Sequence, residues 1–341
     1  MERIAIIIAA LAGLAVAGLS GFLLIPYLRK LKFGQTIKEI GPTWHKNKQG
    51  TPTMGGILFI LGSVVGLLVS VPVLLGAEAG GDPMEPGLLV LGVFTALAFG
   101  AIGFVDDWLK VARKQNLGLR ARAKLVMQSA VAICFLVSLQ LMGRLSTLVK
   151  LPFFGEVEFG WLFYPLSFLL IVGMTNAVNL TDGVDGLCGS VSTFVMIGYL
   201  VILISFGRAY LSAWAAALAG GCLGFVCWNF YPAKVFMGDV GSLFLGGAVA
   251  AIGYCMGRPD LVIILGLLYL IEAATVMLQM GFFKLTKRFS KDHQGRRIFK
   301  MTPIHHHFEM SGWSEVAIDV TFCLFTILCA VGAYIYAVIL G

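Results

Sequence analysis

Apolar residues run along this chain in blocks of about 20, broken by short polar segments, the length an α-helix needs to cross a membrane. Ten such blocks occur, near 3–27, 54–76, 87–106, 125–143, 161–178, 187–206, 211–228, 242–256, 261–283 and 318–340, the eighth being the shortest. The pattern predicts an all-α, polytopic membrane protein with ten transmembrane helices, forming a single membrane-embedded domain over 1–341. Glycine-rich stretches inside the blocks, "GGCLG" (220–224) and "LGGAVAAIG" (245–253), suit helices that pack closely in lipid.

Composition agrees. Hydrophobic residues make up 58% and charged residues 13%, against a usual charged share of about 25%, and the mean hydropathy is +0.90. The first block is long enough to span and lacks a convincing small-residue cleavage site, so no removable signal is expected. All seven cysteines fall in apolar runs without a CxxC pair and read as packing residues.

The net charge of +7 would suggest nucleic acid in a soluble chain, but its distribution gives another reason. Segments 28–53, 106–124, 179–186, 229–241 and 284–317 carry 20 of the 25 Lys and Arg; the remaining five are Arg3, Arg144, Lys150, Arg208 and Arg258. Basic loops stay in the cytoplasm. Five cytoplasmic loops and two termini outside are therefore expected, with no nucleic-acid partner.

The polar chemistry gathers in those same loops. All five histidines lie there, and five of the nine aspartates (Asp106, Asp107, Asp182, Asp185, Asp239) sit where apolar runs meet them. In "TNAVNLTDGVDGLCG" (175–189), Asn176, Asn179, Asp182 and Asp185 recur every third residue, and Gly183 and Gly186 predict a turn near Asp182. These residues supply oxygen ligands and hydrogen bonds; capping of a helix end is the plainer alternative. In "WNFYPAKVFMGDVGS" (228–242), Pro232 and Gly238 mark a loop, and Asp239 precedes a helix start, as a ligand or as an N-cap. Phe236 stacks on a flat ligand or simply packs. Lys48, Lys110 and Lys124 lie nearest the motif residues, and Lys110 is within salt-bridge reach of Asp106 and Asp107 on a helix. The adjacent histidines of "MTPIHHHFEMSGW" (301–313) diverge on any regular element, which suits polar substrate groups better than one zinc ion. In the ninth block, Glu272, Thr275 and Gln279 share a helix face, for a helix–helix hydrogen bond or a cavity.

Carboxylates converging on one site repel each other unless a hard cation sits among them, and Mg²⁺ commonly links carboxylates to substrate phosphates. Basic loops around such a centre at a membrane surface point to a Mg²⁺-dependent transferase acting between a soluble nucleotide and a lipid head group. A transporter would instead place polar or broken segments near the midplane in two repeated halves, and this chain shows neither.

Together, "GTPTMGG", "GFVDDWLK", "NAVNLTDGVDGL", "FMGDVGSL" and "MTPIHHHFE" resemble the polyprenyl-phosphate N-acetylhexosamine-1-phosphate transferase superfamily. Within it they are most similar to the bacterial phospho-N-acetylmuramoyl-pentapeptide transferases. The resemblance implies transfer of phospho-MurNAc-pentapeptide from UDP-MurNAc-pentapeptide to undecaprenyl phosphate, giving lipid I and UMP at the bacterial inner membrane, with Mg²⁺, in a homodimer. It implies that Asp239 and Asp107 hold the metal, that Asp106 is the acid/base, and that His305 is catalytic. It further implies that Lys48, Lys110, Lys124, Asn176, Asn179, Asp182, Asp185, Asn229, Phe236, Gln279, His306 and His307 bind substrate. A sibling using UDP-GlcNAc is the alternative. One-step attack and a covalent phospho-aspartate both remain open.

Overall fold

The computed structural model describes residues 1–31, 50–76, 82–113, 115, 117–152, 154–290 and 294–340. Among them are ten helices long and apolar enough to cross a membrane. They include α1 (Glu2–Lys30), α2 (Ile57–Leu75), α3 (Glu85–Ala112) and α4 (Ala121–Leu141). An antiparallel hairpin follows, β1 (Leu148–Leu151) and β2 (Gly155–Glu158), with Leu148 opposite Glu158. Then come α5 (Phe163–Thr181), entered through a 3₁₀ turn, α6 (Leu187–Ser205), α7 (Ala209–Asn229) and α8 (Gly238–Cys255). The short α9 (Pro259–Leu265) precedes α10 (Leu267–Phe289), and the short α11 (Ile304–Glu309) precedes α12 (Glu315–Tyr334), which continues as a π-helix to Ile339. The protein is a multi-pass, all-α membrane protein.

Each expected block overlaps one of the ten spans, with three differences. The third helix runs on to Ala112, so Asp106 and Asp107 lie within its last two turns rather than at its end. The ninth block is broken at Gly266, and its spanning part starts at Leu267. The hairpin was not expected, because four-residue strands are too short to show an alternating pattern.

Burial singles out α8 as the centre: 94% of its apolar window is buried, against 22% for α1 and for α12. It packs on α3 and α5, while α1 packs on α7 and α2. Small residues make this possible. A Cβ on Gly103 of α3 would lie 2.0 Å from the Asp239 carbonyl oxygen, so α3 and α8 meet backbone to backbone one turn from Asp106 and Asp107. Outer faces stay apolar and open, as at Leu19, Phe22 and Leu23 of α1, the surface a helix offers to lipid.

Candidate active site

Because α3 and α8 touch at Gly103, the last turns of α3 and the first turn of α8 present their acids to one another. Carboxylate oxygens of Asp106, Asp107 and Asp239 lie within 4.8 Å of one another. Lys110, one turn further along α3, reaches all three, at 2.7 Å to Asp106 Oδ2, 3.2 Å to Asp107 Oδ1 and 2.8 Å to Asp239 Oδ2. From the first turn of α4, Lys124 adds a second cation at 2.9 Å from Asp239 Oδ2. Three carboxylates thus face two ammonium groups.

Each acid is also held by something different. The Leu119 N–H donates to Asp106 Oδ1 at 2.8 Å, and a Cβ on Gly118 would lie 2.6 Å from that oxygen, so the α3–α4 loop closes tightly over Asp106. The Val240 N–H, at the start of α8, donates to Asp107 Oδ2 at 3.1 Å. Asn179 Nδ2, near the end of α5, donates to Asp239 Oδ1 at 2.8 Å and to Ser242 Oγ at 2.7 Å. The N-cap of α8 is Met237, so Asp239 is not the cap; its carboxylate faces the lysines. Gly238, with φ +76°, makes the turn into α8 where a Cβ would meet Asp107 Oδ2 at 2.6 Å and Thr53 Oγ1 at 2.8 Å.

The predicted turn after α5 is present, with Asp182 as the C-cap. Asp182 accepts from the Gly238 N–H; desolvation, aided by the charges of Asp239 and Asp107, pushes its carboxyl up to about 8. A cation among those acids would relieve that repulsion.

Two other predicted residues clasp loops rather than face the acids. Asp185 Oδ2 accepts from the Ala233 N–H at 2.9 Å, and its own N–H donates to Glu315 Oε2 at 3.1 Å. Asn229 accepts the Gly186 N–H at 3.1 Å and donates to Val235 O at 2.9 Å. They tie the α5–α6 turn to the α7–α8 loop. That loop in turn holds the 52–56 segment: Phe236 N–H donates to Pro52 O at 2.8 Å, and Gly55 N–H to Phe236 O at 2.8 Å. The Phe236 side chain is half-buried. Asn176 pairs with Gln128 of α4, its Nδ2 donating to Gln128 Oε1 at 2.8 Å. Gln279 accepts the Ile298 and Phe299 N–H groups and donates to Phe299 O, pinning the chain that leads into α11.

The three histidines of α11 have three separate neighbours, as diverging side chains must. His305 is fully buried against Glu272. His306 Nδ1 lies 2.9 Å from Glu309 Oε2, and His307 Nδ1 accepts the Lys300 N–H at 3.1 Å. Lys48, together with His45 and His293, lies outside the described residues.

The sequence reading missed Thr53, although it sits inside "GTPTMGG". Its Oγ1 is buried with no hydrogen-bond partner among the described residues. Leu119, acting through its backbone, leaves no side-chain signal. The donor set of carboxylates, with a hydroxyl that has no partner among the described residues nearby, is hard and oxygen-only, the chemistry that suits a hard divalent cation such as Mg²⁺.

Comparison with known proteins extends the match over nearly the whole chain. The Glycosyl transferase family 4 profile matches residues 89–257, spanning the acids of α3 and α8. The phospho-N-acetylmuramoyl-pentapeptide-transferase signature 1 matches residues 48–60, which include Thr53. A phospho-N-acetylmuramoyl-pentapeptide-transferase of Heliobacterium modesticaldum is 45% identical over 311 residues, 90% of each chain. That of Acetivibrio thermocellus is 43% identical over 319 residues, covering 92% of this chain and 90% of its own. That of Shouchella clausii is 42% identical over 338 residues, 98% of each. Identity of 42–45% over 90–98% of its length places the chain in the phospho-N-acetylmuramoyl-pentapeptide-transferase family of phosphoglycosyl transferases.

Proposed function

We propose that the protein transfers phospho-MurNAc-pentapeptide from UDP-MurNAc-pentapeptide to undecaprenyl phosphate, releasing UMP and forming lipid I for peptidoglycan. The reaction takes place on the cytoplasmic face of the bacterial inner membrane, with both termini outside. One observation carries the reading: three carboxylates within 4.8 Å, opposed by Lys110 and Lys124, at the membrane end of a bundle whose family is named for this donor group.

A phosphate monoester attacking a diphosphate needs charge neutralisation and in-line positioning more than it needs covalent help. Asp107 and Asp239 would hold Mg²⁺, which when bound supplies a Lewis acid for the diphosphate oxygens. Lys124 and Lys110 stand where phosphate oxygens would replace carboxylates as partners. Asp106, fixed by the Leu119 N–H and Lys110, accepts the proton of the lipid phosphate. All three acids are already engaged by cations or N–H groups, an arrangement suited to direct attack by the lipid phosphate. Asn179 orients Asp239, Asp182 lines the nucleotide-sugar side, and Phe236 with Lys48 takes the uracil. A homodimer belongs to the same proposal, on the resemblance alone.

The test is UMP release by the purified chain in detergent with undecaprenyl phosphate and Mg²⁺. Release is expected with UDP-MurNAc-pentapeptide; release with UDP-GlcNAc alone would overturn the reading in favour of the sibling reaction.

A further inference from the structure

Glu272 lies in the middle of apolar α10 and is fully buried. Its Oε2 is 3.1 Å from His305 Nδ1, and both side chains are 0% exposed. Each partner keeps one buried atom, Glu272 Oε1 and His305 Nε2, without a hydrogen bond among the described residues. Buried polar atoms are seldom left so, because desolvation without a partner is costly. Two such atoms on one fully buried hydrogen-bonded contact call for an explanation beyond stability.

The direction of the free nitrogen is given by Gly183. A Cβ at that position would sit 2.3 Å from His305 Nε2 and 2.9 Å from Cε1, so the ring aims its free nitrogen at the Asp182–Gly183 turn. That turn carries Asp182, which accepts from Gly238 beside Asp107 and Asp239. The imidazole therefore stands directly behind the turn that borders the acidic cluster.

A carboxylate can only accept from Nδ1, which fixes the proton there and leaves Nε2 with a lone pair. We propose that Glu272 is a positioning residue for the transfer reaction, acting through His305: it holds the Nδ1–H tautomer so that Nε2 accepts a hydrogen bond from a hydroxyl or amide N–H of the sugar-peptide substrate at the Asp182–Gly183 turn. The inference rests on the proposed transferase reading. It assigns Glu272 a role that the alternative of a plain helix–helix hydrogen bond would not give it.

The experiment compares wild type with Glu272→Gln, His305→Ala and the double variant, as full chains in detergent. A glutamine amide can donate to Nδ1, shifting the ring proton to Nε2 and turning the acceptor into a donor. Glu272→Gln is expected to lower kcat/KM for UDP-MurNAc-pentapeptide about 10- to 100-fold, with KM for undecaprenyl phosphate unchanged. The double variant is expected to lose no more than His305→Ala, as for residues acting in series. Histidine ¹⁵N NMR, assigned by the signal missing in His305→Ala, should show the Nδ1–H tautomer in wild type and Nε2–H in Glu272→Gln. Wild-type kcat/KM in Glu272→Gln, additive losses, or an Nε2–H ring in wild type would each overturn the inference. Should wild type itself make no lipid I, the transferase reading fails instead, while the NMR tautomer still decides the fate of the dyad.

Discussion

At the end of the bundle away from the acidic cluster, Asp82 is held by both Arg144 and Arg208, and Glu85 accepts the Leu211 N–H at 3.0 Å. Arg258 grips Asp260 there through contacts of 2.8 to 3.2 Å. At the other end, three carboxylates crowd within 4.8 Å and share two lysines. Both ends use buried or half-buried acids, and both tie α3 to neighbouring helices. At the first, each acid has a dedicated partner and the charges close. At the second, Lys110 is divided among three acids, and the Thr53 hydroxyl has no partner among the described residues. Matched charge is what a joint requires; crowded like charge is tolerated where a cationic ligand completes it.

The largest break in this comparison should come from the crowded end. Asp239→Asn and Asp106→Asn are each expected to reduce turnover by at least ~10³-fold with the chain still folded in detergent. The melting temperature of Asp106→Asn should stay at or above that of wild type, since it removes a charge that Asp239 repels, whereas Asp239→Asn takes a partner from Lys110 and Lys124 and should lower it. Full activity in either variant, read as UMP released per minute, would strip that residue of its role.

The smallest effect belongs to the matched end. Asp82→Ala should leave turnover within about twofold and lower the melting temperature by about 2 °C. The pH dependence has a definite sign. Although desolvation pushes the other way, Arg208, the Met84 N–H and Arg144 hold the Asp82 carboxyl below its usual value. Its stabilising contribution is therefore present above the ordinary carboxylate pKa and lost as pH falls through the lowered one. The gap between wild type and Asp82→Ala should narrow on acidification; a widening gap, or a tenfold loss of turnover, would erase the distinction between the two ends.

Much of this was legible before any coordinates. Blocks of about 20 apolar residues fix the number of helices because lipid leaves the backbone few alternatives, and acids at block ends stand out in a chain with 13% charged residues. Lys110 could be paired with Asp106 and Asp107 from helical spacing alone. What the chain order hid were relations between distant segments. Asp239 meets Asp106 because Gly103 lets α3 and α8 touch, a fact of packing with no periodic signature. Asp185 and Asn229 share the polar look of Asn179 and Asp182, yet they clasp two loops together. Glu272 and Gln279 lie on one helix face as expected, but one meets a histidine and the other a backbone turn. The break at Gly266 and the short hairpin fall below the length at which patterning speaks.

The central claim is that Asp239 and its neighbours form a divalent-cation site rather than a salt-bridged joint. Mn²⁺, a spectroscopic stand-in for Mg²⁺, can be titrated into the purified, chelator-treated chain and followed by electron paramagnetic resonance. One bound ion per chain in wild type, displaced by Mg²⁺ and absent in Asp239→Asn but retained in Asp82→Ala, is the predicted result. No bound ion in wild type with nucleotide-sugar present, or equal binding in Asp239→Asn, would contradict it.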